Sequence, residues 1–249
     1  MSETKRLFVV SDIHGHGTLL KKELEAAGFD PHNPNHLFVC CGDLFDRGRE
    51  NRMVYELVTG LKHKVLVKGN HDERLRQILT QKSADVYDLY NGIEMTLVEF
   101  FGAGSVGEYG ELRLPEGDEM ADKLCSLVDR MVDYFETEHY VFVHGWLPVV
   151  RDGSSTKLAE DWRHAGAEAW RNSRFLEWMS CYKTEARLPD KTIICGHRPT
   201  RLAAMVDSTR APANADPYYA EGMIAIDGGT IRSGQVNLLV LEDTLLGDN

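Results

Sequence analysis

The segment Gly42-Asp43-Leu44-Phe45-Asp46-Arg47-Gly48 places two carboxylates and a guanidinium within five residues. It follows the apolar run 37–41, which reads as a buried strand. A carboxylate at a strand end is held firmly and still faces a cleft. Asp43 is placed to bridge two metal ions, Asp46 to orient a neighbouring base, and Arg47 to grip an oxyanion. By itself such an Asp-x-x-Asp-Arg loop is as compatible with a solvated turn. The same pattern, however, recurs along the chain.

The run 7–11 leads directly into Asp12-Ile13-His14-Gly15. Asp12 and His14 are two apart, so on an extended strand end both face one side. The run 65–67 leads into Gly69-Asn70-His71-Asp72, 140–143 into His144-Gly145, and 192–195 into Gly196-His197. The donors Asp12, His14, Asp43, Asn70, His144 and His197 are all nitrogen or oxygen ligands. That mixture suits manganese first, with iron or zinc as alternatives. Two ions sharing Asp43, about 3.5–4 Å apart, would hold a bridging hydroxide for in-line attack on phosphorus. Arg47 would bind the non-bridging oxygens, and His71, paired with Asp46, would protonate the leaving oxygen. His16, His139 and His164 fit no role; His32, His36 and His63 read as surface residues.

The elements that must position these residues are strand–loop–helix units with ligands at the strands' C-terminal ends, where open α/β sheets place their sites. Helices are expected over about 19–27, capped by Thr18, over 50–60, and from about Asp72 onward. Periodicity predicts a helix across 119–138 and partial helix across 93–101. The stretch 102–110 is glycine-rich and reads as a loop, with a lid as the alternative. Region 81–138 is therefore expected to be a helical cap over one sheet face. Trp170 and Trp178, eight apart, are expected to share a core-facing helix face, with Arg174 between them. A last strand is expected over 235–241.

The chain has 249 residues, with 43% hydrophobic and 27% charged. No linker or repeat divides it, so one domain spanning 1–249 is the simplest account. The net charge of −11 disfavours broad binding to nucleic acid or anionic membrane. No apolar run approaches the roughly 20 residues of a membrane span, and the start of the chain lacks a signal-peptide pattern. The five cysteines form no CxxC pair, and three lie in apolar runs, which reads as a reduced, cytoplasmic protein.

Taken in order, Asp12-Ile13-His14-Gly15, Gly42-Asp43-Leu44-Phe45-Asp46-Arg47-Gly48, Gly69-Asn70-His71 and His144-Gly145 resemble the motif set of the calcineurin-like metallophosphoesterases. Asp46-Arg47-Gly48 resembles the phosphoprotein phosphatase branch, which includes serine/threonine phosphatases, bacteriophage-type phosphatases and symmetrical diadenosine tetraphosphatases. The resemblance implies an α/β/β/α sandwich with two mixed sheets. It assigns Asp12, His14 and Asp43 to one metal, and Asp43, Asn70, His144 and His197 to the other. It also implies a second phosphate-binding arginine, Arg174, with Arg171 as the alternate. Departures include Ser11 at the start of the first motif, Asp72 directly after His71, Trp146 after His144-Gly145, and Gly196-His197-Arg198-Pro199 without a second histidine. These bear on substrate rather than on the metal site. The expected activity is hydrolysis of phosphomonoesters, of serine/threonine protein phosphatase type. Phosphorylated protein or a small phosphoester or nucleotide would be the partner. The alternatives are a dinucleoside polyphosphate hydrolase and a non-catalytic scaffold of the same fold. A scaffold would be expected to lose His71 or Arg47, and both are present.

Overall fold

A computed structural model describes residues 3–153 and 155–246. In chain order its strands are β1 (Thr4–Val10), β2 (His36–Cys40), β3 (Lys64–Leu66), β4 (Phe135–Glu136), β5 (Tyr140–Phe142), β6 (Val149–Asp152), β7 (Ser155–Leu158), β8 (Thr192–Cys195), β9 (Tyr218–Ala220), β10 (Met223–Ala225) and β11 (Leu239–Thr244). The α-helices are α1 (Gly17–Ala26), α2 (Asn51–Gly60), α3 (Asn70–Gln81), α4 (Val86–Tyr90), α5 (Ile93–Phe101), α6 (Glu119–Asp129), α7 (Ala167–Ser173), α8 (Trp178–Cys181) and α9 (Thr230–Ser233).

Two mixed sheets result, in the orders β11-β1-β2-β3 and β4-β5-β8-β10-β9. In each, three neighbouring strands run parallel (β1, β2, β3 and β5, β8, β10), and the remaining strands, β11 in the first sheet and β4 and β9 in the second, are antiparallel. Strands β6 and β7 form a separate hairpin. Strand alternation sorts the side chains into layers. Leu7, Val9, Leu37 and Val39 meet Phe142, Ile194 and Ile226 between the sheets. Phe8, Val10, Phe38 and Cys40 face outward onto Leu20 and Leu24 of α1, Val54 and Val58 of α2, and the apolar stripes of α3, α5 and α6. Val141, Ile193, Cys195 and Ala225 face outward onto Trp146, Trp162, Trp170 and Trp178. The order of layers is helix, sheet, sheet, helix, as expected. Among the described residues, no helix is long and apolar enough to cross a membrane.

Several local expectations are corrected. The helix expected across 119–138 ends at Asp129. Beyond it Val132 donates to Leu66 O and accepts from Lys68 N, and Phe135–Glu136 pairs with β5, so sheet pairing takes that backbone. Trp170 and Trp178 are both buried but sit on two short helices, broken where the chain turns against Gly145. His36 is buried, not surface: it packs against Phe8 and Phe29, and its Nδ1 accepts from Asp30 N at 3.0 Å. Thr18 makes no cap; Glu50 instead accepts from its backbone N (2.8 Å) and hydroxyl (2.6 Å) at the start of α1. Helix α3 begins at Asn70, with Gly69 as its N-cap, and the last strand is 239–244 rather than 235–241.

Candidate dinuclear metal centre

The parallel strands of both sheets end at one place, and the loops that follow carry the chemistry. Backbone strain marks the same place. Seven non-glycine residues among those described have positive φ, and six of them are Asp12, His14, Asp43, Asp46, Arg47 and His197. Left-handed backbone at such residues costs about 1–3 kcal/mol each, so the surrounding contacts must hold them there. The loops also come unusually close. A Cβ on Gly42 would lie 2.7 Å from His144 Nδ1, and one on Gly69 would lie 2.1 Å from Asp43 Oδ1.

Asp43 is the hub. His14 Nε2 lies 3.6 Å from its Oδ2, and His144 Nε2 lies 3.4 Å from the same oxygen. Asp43, His144 and His197 have ligand atoms within 4.8 Å of one another. Asn70 Oδ1 is 2.9 Å from His144 Nε2, and Asp12 Oδ1 is 4.0 Å from His14 Nε2. The tautomers follow from the partners. His14 Nδ1 faces Phe45 O at 2.9 Å, and His144 Nδ1 faces Cys41 O at 2.8 Å. A carbonyl only accepts, so each Nδ1 carries the proton and each Nε2 presents a lone pair. Around Asp43 Oδ2, then, lone pairs of histidine, carboxylate and amide face one another. Such a donor set fits divalent cations, with the backbone bonds orienting each imidazole from behind.

Charge agrees with this. Burial alone would raise the Asp43 carboxyl, but His144, His71, His14 and His197 hold it well below the usual carboxylate range. Burial pushes His14 well below its ordinary value and, with His144 beside it, pushes His197 down to about 3. Both imidazoles therefore stay neutral and able to coordinate.

His71 differs. Its Nδ1 donates to Asp46 Oδ2 at 2.7 Å. Burial opposes its charge, but Asp43 and then Asp46 overcome this and raise it to about 9. Although His71 clusters with His14 and Asp43, its Nδ1 is engaged and the ring is protonated at neutral pH. Asp12 offers a carboxylate oxygen on the same side. Asp12 Oδ2 accepts from Ser11 Oγ and from His197 N (3.0 Å), which leaves Oδ1 directed towards His14. Arg47 extends its fork over the pair, with Nη1 2.8 Å from His14 Nε2 and Nη2 3.0 Å from His71 Nε2. With His71 protonated, Arg47 Nη2 and His71 Nε2 are two facing donors, a place that suits an anion.

Arg174 is buried near this site but already engaged: Nη1 donates to Glu73, Nη2 donates to Asp133, and Nε has no partner. Arg171 shares Glu73 through its Nε at 3.0 Å. The side-chain bonds of both arginines go to Glu73 and Asp133, whereas those of Arg47 go to His14 and His71.

Three supporting residues escaped sequence reasoning. Buried Asp72 accepts from Asp43 N (2.8 Å), Gly69 N (2.9 Å) and Leu44 N (3.1 Å), tying two ligand loops together; burial and Asp43 raise it to about 6. Its position at the start of α3 signalled only a helix terminus. Thr96, fifty residues from Asp46, donates to Asp46 Oδ1 (2.6 Å) and accepts from Asp46 N (2.9 Å). Nothing local in the sequence signals that pairing. Asn51 also accepts from Asp46 N, at 3.0 Å. A surface groove of about 1010 Å³, lined by His139, Lys183, Arg187 and Lys191 among others, adjoins the N-terminal ends of β5 and β8 and contains none of these residues.

Residues 5–222 match the family model of the calcineurin-like phosphoesterases. No curated protein matches the chain. Among solved structures, a protein provisionally named as a diadenosine tetraphosphatase is 16% identical, with 98% of this chain and 95% of that one covered and a TM-score of 0.56. A cold-active protein tyrosine phosphatase is 15% identical (95% and 73% covered, TM-score 0.53). A metallophosphoesterase from Sphaerobacter thermophilus is 14% identical (97% and 89%, 0.50). At these identities the likeness is one of fold. The family match spans the loops that converge on Asp43, and this chain belongs to the calcineurin-like phosphoesterases, a dimetal-dependent family, and is a metal-dependent phosphoester hydrolase.

Proposed function

We propose that the chain hydrolyses phosphomonoesters of the kind found on serine and threonine side chains of phosphoproteins. The observation that carries this reading is the pairing of two lone-pair clusters on Asp43 Oδ2 with a charged His71–Asp46 pair and the Arg47 fork. Asp12, His14 and Asp43 would hold one cation, and Asp43, Asn70, His144 and His197 the other. Manganese is the first choice, and iron or zinc fit the same donors. When bound, two such cations supply the charge that polarises a phosphoryl group and activates water. Arg47 orients the phosphoryl oxygens through both terminal nitrogens. His71 carries a proton on Nε2 and delivers it to the leaving oxygen, while Asp46 keeps that proton in place from Nδ1. Arg174 serves as a second phosphate-binding arginine by exchanging Glu73 or Asp133 for phosphate. Arg171, through the shared Glu73, is the alternate. The whole chain acts as one catalytic unit, with α4–α6 as its helical cap on the outer face of the first sheet.

A dinucleoside polyphosphate hydrolase is the second reading. An exposed ring beside His197, Phe175, favours it because a base could lie there. The test compares a phosphoserine/phosphothreonine peptide with diadenosine tetraphosphate on manganese-loaded protein, scoring phosphate for the first and ADP for the second. Faster peptide turnover supports the proposal; turnover of the dinucleotide alone puts the second reading first.

A further inference from the structure

We propose that Phe175 forms a subsite for an aromatic ring carried by the leaving group, either a tyrosyl ring or a purine base. The inference rests on the hydrolase reading above and extends it to substrate choice. Four neighbouring tryptophans, Trp146, Trp162, Trp170 and Trp178, are buried in the outer core of the second sheet. Phe175 lies between the last two in sequence and yet is 56% exposed. Isolated exposed apolar residues are ordinary. This one is not isolated from the site: its ring centroid is 6.4 Å from that of His197, with the planes at 85°. His197 in turn packs at 5.1 Å against the His144 ring, beside Asp43.

The backbone keeps Phe175 there. Trp146 N donates to Ser173 O at 3.0 Å, and Leu176 N donates to Ser173 O at 3.1 Å, closing a turn around Arg174 and Phe175. Gly145, directly after His144, admits that turn: a Cβ at this position would lie 2.6–2.7 Å from the carbonyl oxygens of Ser173, Arg174 and Leu176. The turn is thus docked on the His144 loop, which holds the Phe175 backbone beside it. His71 protonates the leaving oxygen, and a leaving group that passes out of the site on the His197 side would present its ring to Phe175. A planar group there would meet an aromatic surface at the separations of about 4.5–7 Å that ring pairs favour. An alkyl leaving group gains little from the same surface. Serine and threonine phosphates therefore remain substrates, and ring-bearing phosphates gain affinity.

Phenylphosphonate and methylphosphonate, which cannot be hydrolysed, read the subsite by titration calorimetry of metal-loaded protein, without turnover. Wild type should bind the phenyl compound roughly five- to tenfold more tightly, the scale of one aromatic pair. Phe175→Leu, which keeps apolar bulk and loses the ring, should bring the ratio below about twofold, and Phe175→Trp should preserve it. A ratio that Phe175→Leu leaves unchanged overturns the proposal. The ring's source is separated by kcat/KM for a phosphotyrosine peptide and for diadenosine tetraphosphate. The natural source is the one that loses about fivefold in Phe175→Leu while a phosphoserine peptide of matched sequence changes less than twofold. Equal losses on all three overturn it. Protein that retains the binding ratio but hydrolyses none of them supports the subsite and contradicts the hydrolase reading instead.

Discussion

Replacing Asp46 by asparagine removes a charge while keeping a shape. In the native site Asp46 Oδ2 meets His71 Nδ1 at 2.7 Å, and Oδ1 accepts from Thr96 Oγ1 at 2.6 Å. Asparagine can keep its oxygen on His71 and turn its amide to the Thr96 hydroxyl, which is also able to accept. His71 stands at about 9 against an ordinary 6.5. That elevation corresponds to about 3 kcal/mol in favour of the imidazolium, at about 1.4 kcal/mol per pKa unit. Burial works against it; Asp43 and then Asp46 supply it. An adjacent opposite charge shifts a titration by about 1–3 units, so losing the Asp46 charge should lower that of His71 by roughly 1.5. A general acid is active only while protonated, so the basic limb of the kcat profile should move down by the same amount. At pH 8.5 the protonated fraction would fall from roughly three quarters to one tenth, an approximately eightfold loss, whereas at pH 6.5 nearly all activity should remain. The assay is phosphate release from a phosphomonoester between pH 6 and 10, with the His71 ring titrated by NMR in parallel. A loss of equal size at every pH would show that Asp46 acts only by position. An unmoved basic limb with a moved His71 titration would show that the proton donor lies elsewhere.

Other expectations concern the neighbours. In metal-free protein the His71–Asp46 pair should stabilise the fold fully below about pH 6.5 and lose that contribution as pH rises through about 9. The difference in urea stability between wild type and Asp46→Asn should therefore shrink across that window. Asp72→Asn must set an amide N–H against one of the three backbone donors that Asp72 now accepts. It should cost about 2 kcal/mol, seen as a Tm lower by roughly 4–8 °C, with weaker metal binding. Arg47→Lys keeps the charge but loses the fork to His14 and His71, and should lower kcat/KM about 10- to 100-fold with metal content unchanged.

What was legible in the sequence was whatever chemistry and strand lay side by side. Each candidate donor follows a short apolar run, so the strand ends and the six donors could be read together, and the fold gathers them near Asp43. Contacts made across the fold were not legible. Thr96 reaches Asp46 from a helix fifty residues away, and Asp72 acts on backbone groups rather than on a recognisable motif partner. Periodicity also misled where two structures compete for one segment. Residues 130–136 continue a helical pattern, but their backbone pairs beside β3 and β5. The Trp170–Trp178 pattern spans two helices because the turn between them docks on Gly145. Arg174 stands out in the sequence by its place between those tryptophans, and the carboxylates that hold it, Glu73 and Asp133, come from elsewhere in the chain.

The most direct test of the account is metal content and phosphate release measured together on wild type and Asp43→Asn after manganese loading. Asp43 Oδ2 is the atom that both histidine clusters face. The account predicts about two ions per wild-type chain with turnover, and loss of both in the variant. Full turnover by Asp43→Asn would contradict it.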